Sequence, residues 1–243
     1  MKILAIGNSF SQDATRYLRE IAKSNGDSVK AINLYIGACP LRKHYLHILQ
    51  NKELHEIQVN GEGTGFYTSI QKALASDRWD VVTMQQGSKN SFEYKNYEPY
   101  LDLIAKTIKT YCPESKLYVH QTWAYENGSS VMSELTPYTT NEEMYKDVRL
   151  CYEKMKEQVK ADGMIRSGDL IAKMLDNGLK VYLDDGLHMS KGLGRYAIAL
   201  LWYATLTGKD VSEISFNNFD EEVKGEDIST VKNLIKELLS KEN

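Results

Sequence analysis

The apolar positions of the chain change period several times, and each change marks an element. Ile3-Leu4-Ala5-Ile6 is an unbroken apolar run that reads as a buried strand over residues 2–6. Ala14, Leu18, Ile21 and Ala22 then recur at helical spacing, and Asn25-Gly26 supplies a stop. Residues 29–36 read as a second strand ending at Gly37, and residues 41–50 as a helix. Asn60-Gly61 and Gly63 predict a turn or small hairpin within residues 54–65. Ile70, Ala73 and Leu74 mark a short helix, and residues 80–84 a third buried strand. Leu101, Ile104, Ala105, Ile108 and Tyr111 predict a helix closed by Pro113, followed by a strand at 116–121. Residues 124–140 read as a polar loop, long enough for a functional segment. Met144, Val148, Cys151, Met155 and Val159 predict a long amphipathic helix. A short helix at 170–175, a short strand or extended approach at 181–183, a helix at 191–206 capped by Ser190 and a last helix at 228–239 complete the pattern.

Strands separated by helices predict an α/β fold, a three-layer flavodoxin-like sandwich. Its central sheet is expected to be mostly parallel with helices on both faces, in a single domain over residues 1–243. Ligands of such folds bind at the carboxyl ends of the strands. Gly7-Asn8-Ser9, Gly37, Gln85-Gln86-Gly87-Ser88 and Gln121-Thr122-Trp123 all fall at predicted strand ends.

Composition narrows the partners. A net charge of -3 gives no reason to expect nucleic acid or an anionic membrane surface. No apolar run approaches the roughly 20 residues of a membrane span. Met1-Lys2 leads straight into a strand, so the default compartment is cytoplasmic, or secreted or periplasmic if a leader has been removed. Cys39, Cys112 and Cys151 are widely spaced, with no zinc or disulfide pattern among them.

The chemistry-bearing residues gather in four segments. Ser9 follows the first strand and opens a helix, where backbone N–H groups would face an anion forming at its hydroxyl. Read alone, this serine also fits a helix cap. In "LDDGLHMSKG", Asp185 and His188 are three residues apart just before a helix, a spacing that lets a carboxylate orient an imidazole. Asp184 is the alternative orienter. Gly37 and the amides of Gln85 and Gln86 are candidate donors to an oxyanion.

The combination resembles the SGNH (GDSL-like) hydrolases, and the whole chain looks similar to a bacterial branch of them usually left as a domain of unknown function. "IGNSFS" matches the family's first block and "DDGLH" its last. The resemblance implies Ser9 as nucleophile, His188 as base and Asp185 as its orienter. It implies the N–H groups of Ser9 and Gly37 as oxyanion donors, and no metal or cofactor. The third block departs from the family's Gly-x-Asn-Asp. "MQQGSKNS" stands in its place, nearer to carbohydrate acetylesterase branches, with Gln86 expected as third donor and Gln85 and Asn90 behind it. The implied activity is hydrolysis of a short acyl ester, such as acetyl on a carbohydrate. The substrate is expected to contact Asn8, Gln85, Gln121, Trp123 and Tyr125, with His120 nearby; Trp123 and Tyr125 fit packing under the long loop equally well.

Two other readings compete. One is a catalytically silent carbohydrate-binding or scaffold protein on the same fold. The other is a metal-dependent phosphoesterase using Asp13, Asp184, Asp185 and His188. His44 and His47 share a helix face, read as solvated, and His55 has no evident role. Tyr94, Tyr97 and Tyr100 read as packing residues.

Overall fold

The computed structural model describes residues 1–240. Its seven strands are β1 (Lys2–Gly7), β2 (Lys30–Tyr35), β3 (His55–Val59), β4 (Glu62–Thr68), β5 (Val81–Met84), β6 (Lys116–Gln121) and β7 (Gly163–Arg166). They form one sheet in the order β4-β3-β2-β1-β5-β6-β7. The run from β2 to β7 is parallel, and β3 and β4 extend it as an antiparallel edge. The sheet is therefore mostly parallel, as the alternation of strands and helices predicts.

Among the described residues ten α-helices surround it. They are α1 (Ser9–Thr15), α2 (Leu18–Ser24), α3 (Leu41–Gln50), α4 (Ile70–Ala75), α5 (Tyr100–Tyr111), α6 (Ser130–Leu135), α7 (Asn141–Gln158), α8 (Ser167–Asp176), α9 (Leu193–Thr207) and α10 (Gly225–Ser240). α1 and α2 pack on α9, which also touches α8 and α10; α3, α4 and α5 pack together as a second group. α9 is apolar nearly all round, because it is covered both by the sheet and by the helices outside it. β5, "VVTM", is buried at every position, as a central parallel strand must be.

Four sequence expectations change. The helix expected through Ala14 and Ala22 is two helices, broken at Arg16-Tyr17. Tyr17 is drawn to the carbonyl of Lys191 and Arg16 to Asp220, contacts across most of the chain that override local helical preference. The stretch at 181–183 is no strand; Tyr182 makes only an isolated bridge to Met189. β7, four residues long, is additional.

The fourth change concerns the histidines. Asn60 and Gly61, both at positive φ (54° and 74°), close a tight hairpin between β3 and β4. That hairpin brings His55 against α3, so His44 and His47 lie in a buried cluster, not on a solvated face. His44 Nδ1 and His55 Nε2 are 3.0 Å apart. Burial depresses all three pKa values, that of His55 to about 4.

Candidate active site

β1 and β5 lie side by side, and their carboxyl ends deliver Asn8-Ser9 and Gln85-Gln86 to one edge. Ser9 is half-buried between buried Asn8 and Phe10, and it is the first residue of α1. Asn8 caps that helix. Its Oδ1 accepts the Phe10 N–H at 3.0 Å, while its Nδ2 donates to the Cys39 carbonyl at 3.3 Å. Neither Ser9 Oγ nor its N–H has a partner among the described residues.

Residues 183–189 fold into a compact turn, with the Leu183 N–H donating to His188 O and the Gly186 N–H to Leu183 O. Asp185 Oδ2 lies 2.6 Å from His188 Nδ1. Its Oδ1 accepts the backbone N–H groups of Leu187 and His188, both at 2.9 Å. Partial burial pushes the Asp185 carboxyl up, but these hydrogen bonds outweigh it and leave its pKa below the usual value. Asp184 is exposed and has no part in this pairing.

The turn is docked on the nucleophile helix. Asp13, one helical turn beyond Ser9, accepts the Met189 N–H at 3.0 Å and pairs with Arg195 at 2.9 Å. The ring of Phe10 meets His188 edge-on, with centroids 6.2 Å apart, and stacks on Trp123 at 4.0 Å. Trp123 Nε1 donates to Leu187 O. Segment 124–140 carries α6, and its Glu126 N–H donates to Gly186 O at 2.8 Å. Gly186 is at φ 64°, and a Cβ there would lie 2.3 Å from that of Ser129. The segment buttresses the His188 turn.

The loop after β2 presents Gly37 and Ala38, both exposed, with Ala38 at φ 51°. The Gly37 N–H has no partner among the described residues. Gly87 lies directly behind this loop, where a Cβ would sit 3.1 Å from Cys39 O and 3.2 Å from Ala38 O. Ser9, Gly37, Asp185 and His188 thus stand on the same edge of the sheet.

The glutamines do not fill the role expected of them. Gln86 is fully buried, its Nε2 donating to Asn96 O and its Oε1 accepting the N–H groups of Leu41 and Gly87. It latches α3 to the third block, its buried amide turned inward onto these partners. Gln85 is buried and bonded to Asn8. Asn90 is half-buried in a short 3₁₀ turn, its side chain unpaired among the described residues.

The expected substrate contacts also lie beneath the surface. Asn8, Gln85, Gln121, Trp123 and Tyr125 are all buried, as is His120. Gln121 exchanges hydrogen bonds with Asp169, and the Tyr125 hydroxyl donates to Ser88 Oγ. These residues shape the floor of the site from below. Asp13, Asp184, Asp185 and His188 do not converge, since Asp13 is committed to Arg195 and Met189. Among the described residues no group of three or more histidine, cysteine or acidic side chains is arranged to hold a metal.

The fold recurs in solved structures. A DUF4886 family protein from Bacteroides uniformis superposes with TM-score 0.89 at 29% identity, over 99% of this chain and 95% of that one. A protein provisionally assigned to the SGNH hydrolases, from Slackia heliotrinireducens, gives 0.61 at 20% identity, covering 85% and 98%. A family 3 carbohydrate esterase from Clostridium thermocellum gives 0.51 at 15% identity, covering 84% and 93%. These last two similarities establish a shared SGNH-type fold. No curated protein matches the chain in sequence. The model of the family described as "Domain of unknown function (DUF4886)" matches residues 2–235, and the chain belongs to that family.

Proposed function

We propose that the protein is a serine ester hydrolase with Ser9 as nucleophile, His188 as base and Asp185 as its orienter. One observation carries this reading. The Asp185–His188 pair, at 2.6 Å, is pinned through Met189 and Asp13 to the helix that begins with Ser9. Because Asp185 accepts from His188 Nδ1–H, Nε2 is left as the acceptor that a serine proton requires. The Ser9–His188 hydrogen bond belongs to the bound complex, where catalytic hydrogen bonds tighten.

Ser9 Oγ bonds to the ester carbonyl carbon as its proton moves to His188 Nε2. The oxyanion is held by the Ser9 and Gly37 N–H groups, and the side chain of Asn90 is the third donor. The C–O bond to the alcohol then breaks, and His188 returns the proton to the leaving oxygen. Water repeats the sequence: it gives a proton to His188, adds to the acyl carbon, and the acid leaves as Ser9 is reprotonated. The substrate is a short acyl ester on a carbohydrate. The similarity of the third block to acetylesterase branches and the fold shared with a carbohydrate esterase support that choice.

The test is hydrolysis of 4-nitrophenyl acetate and longer esters by wild type, Ser9→Ala and His188→Ala. Each substitution is expected to lower kcat by roughly 10³-fold or more, because the members of a triad act as a unit. Activity that survives Ser9→Ala unchanged would sink the mechanism.

A further inference from the structure

A chain of buried hydrogen bonds crosses four strands and ends on the residue before Ser9. Ser167, at the start of α8, lies 2.9 Å from His120 Nε2. His120 Nδ1 lies 2.6 Å from Gln85 Oε1, which also accepts the Ser11 hydroxyl at 2.5 Å. Gln85 Nε2 donates to Asn8 Oδ1 at 2.8 Å. All five residues are buried.

The direction of every bond is fixed by the backbone at one end. The Phe10 N–H can only donate and the Cys39 carbonyl can only accept, so Asn8 must turn Oδ1 to the first and Nδ2 to the second. Gln85 must then donate to Asn8, which leaves its Oε1 facing His120 and Ser11. His120 must in turn carry its proton on Nδ1, and Ser167 must donate to Nε2. Burial, which drives the His120 pKa down to about 3, keeps this neutral tautomer in place.

Asn8 is the point where the chain meets the chemistry. Its Oδ1 ties down the Phe10 N–H, leaving the Ser9 N–H open, and its Nδ2 holds the loop that carries Gly37. We infer that Gln85, His120 and Ser167 are positioning residues that lock the Asn8 amide, and through it set the Ser9 and Gly37 N–H groups at one oxyanion point. None of the three needs to touch substrate.

The inference rests on the serine-hydrolase reading, and the experiment separates the two. Wild type, Gln85→Met, Ser167→Ala and the distant core variant Ile235→Val are treated with a fluorophosphonate. Labelling rate at Ser9, 4-nitrophenyl acetate kinetics and thermal stability are measured for each. Gln85→Met keeps the shape without the donor, and is expected to slow labelling and lower kcat by about 10- to 100-fold, the scale of a small misplacement, with KM little changed. Ser167→Ala, a small truncation that folds even if Gln85→Met does not, is expected to lower both about 3- to 10-fold. Ile235→Val is expected to label at the wild-type rate despite its stability loss. Unchanged labelling in both network variants overturns the inference, and so does an equal slowing in Ile235→Val, which would make stability the cause. A rise in KM with kcat preserved in Gln85→Met also overturns it, placing Gln85 against substrate. Failure of wild type to label at Ser9 overturns the hydrolase reading itself.

Discussion

Asp13 Oδ2 accepts the backbone N–H of Met189 at 3.0 Å, joining residues 176 positions apart. The bond sets the turn bearing His188 against the helix bearing Ser9. Asp13 is almost fully buried, and its other oxygen pairs with Arg195. Asp13→Ala leaves the largely buried guanidinium without a partner and frees the turn. Loss of one member of a buried pair costs about 3–5 kcal/mol. The variant is expected to unfold at clearly lower urea concentration and to lose kcat more than KM, read from denaturation curves and ester kinetics.

The same carboxyl gives a pH signature. Burial raises its pKa to about 6, against the lowering effects of Arg195, the Met189 N–H and His188. In the unfolded chain it titrates near 3.8. The folded state therefore holds the proton more tightly, and Asp13 favours folding below pH 3.8. This contribution is lost as pH rises from 3.8 to about 6. At about 1.4 kcal/mol per unit the full span is roughly 3 kcal/mol. Urea unfolding of wild type and Asp13→Asn from pH 4 to 7 is expected to show wild type losing stability relative to the variant as pH rises. A difference of the opposite slope would contradict the assignment.

His55 carries the reverse sign. Burial lowers its pKa to about 4 from 6.5, so the fold excludes its proton. Stability from His55 is complete above pH 6.5 and is lost as pH falls towards 4. His55→Gln is expected to resist acid better than wild type between pH 6.5 and 4, compared by circular dichroism at fixed urea, whatever its stability at neutral pH.

The positions proposed as the triad stand out in the sequence because each carries a local signal. Ser9 follows an apolar strand, and Asp185 and His188 are close enough to meet within one turn. The parallel core was legible for the same reason, in runs such as residues 3–6 and 81–84. The roles of Gln85 and Gln86 were not. A strand-end amide has the same sequence signature whether it faces water or turns inward, and what turns these two inward is distant: Asn8, Asn96 and Leu41. His55 was silent because its neighbours lie on α3, reached only when the hairpin folds back. The aromatics at 123 and 125 fit a pocket or a floor equally well by composition. Burial against Phe10 and under the 124–140 segment makes them the floor.

Asp185→Asn tests the orienting carboxylate. The amide keeps the shape, but an Nδ2 facing His188 would make the histidine's Nδ1 an acceptor and put its proton on Nε2. That tautomer cannot take a proton from Ser9. A kcat loss on the order of 10²- to 10⁴-fold is expected, with little change in thermal stability because the pair is partly exposed. Asp184→Asn, at an exposed neighbour outside the pair, is expected to behave as wild type. The two kcat/KM values, measured side by side, identify the orienter.

Trp123 tests the floor. Its ring stacks on Phe10 at 4.0 Å, and its Nε1–H donates to Leu187 O at 2.9 Å, beside His188. Trp123→Phe preserves an aromatic ring against Phe10 but leaves the Leu187 carbonyl without that donor. The stability loss expected from the missing hydrogen bond is about 1 kcal/mol, with an added cost from the smaller ring. Since Trp123 is fully buried, KM should stay at the wild-type value. With the turn less firmly held, kcat should fall several-fold. A kcat left intact with a several-fold rise in KM would instead place the indole against the substrate and require the floor to open when substrate binds.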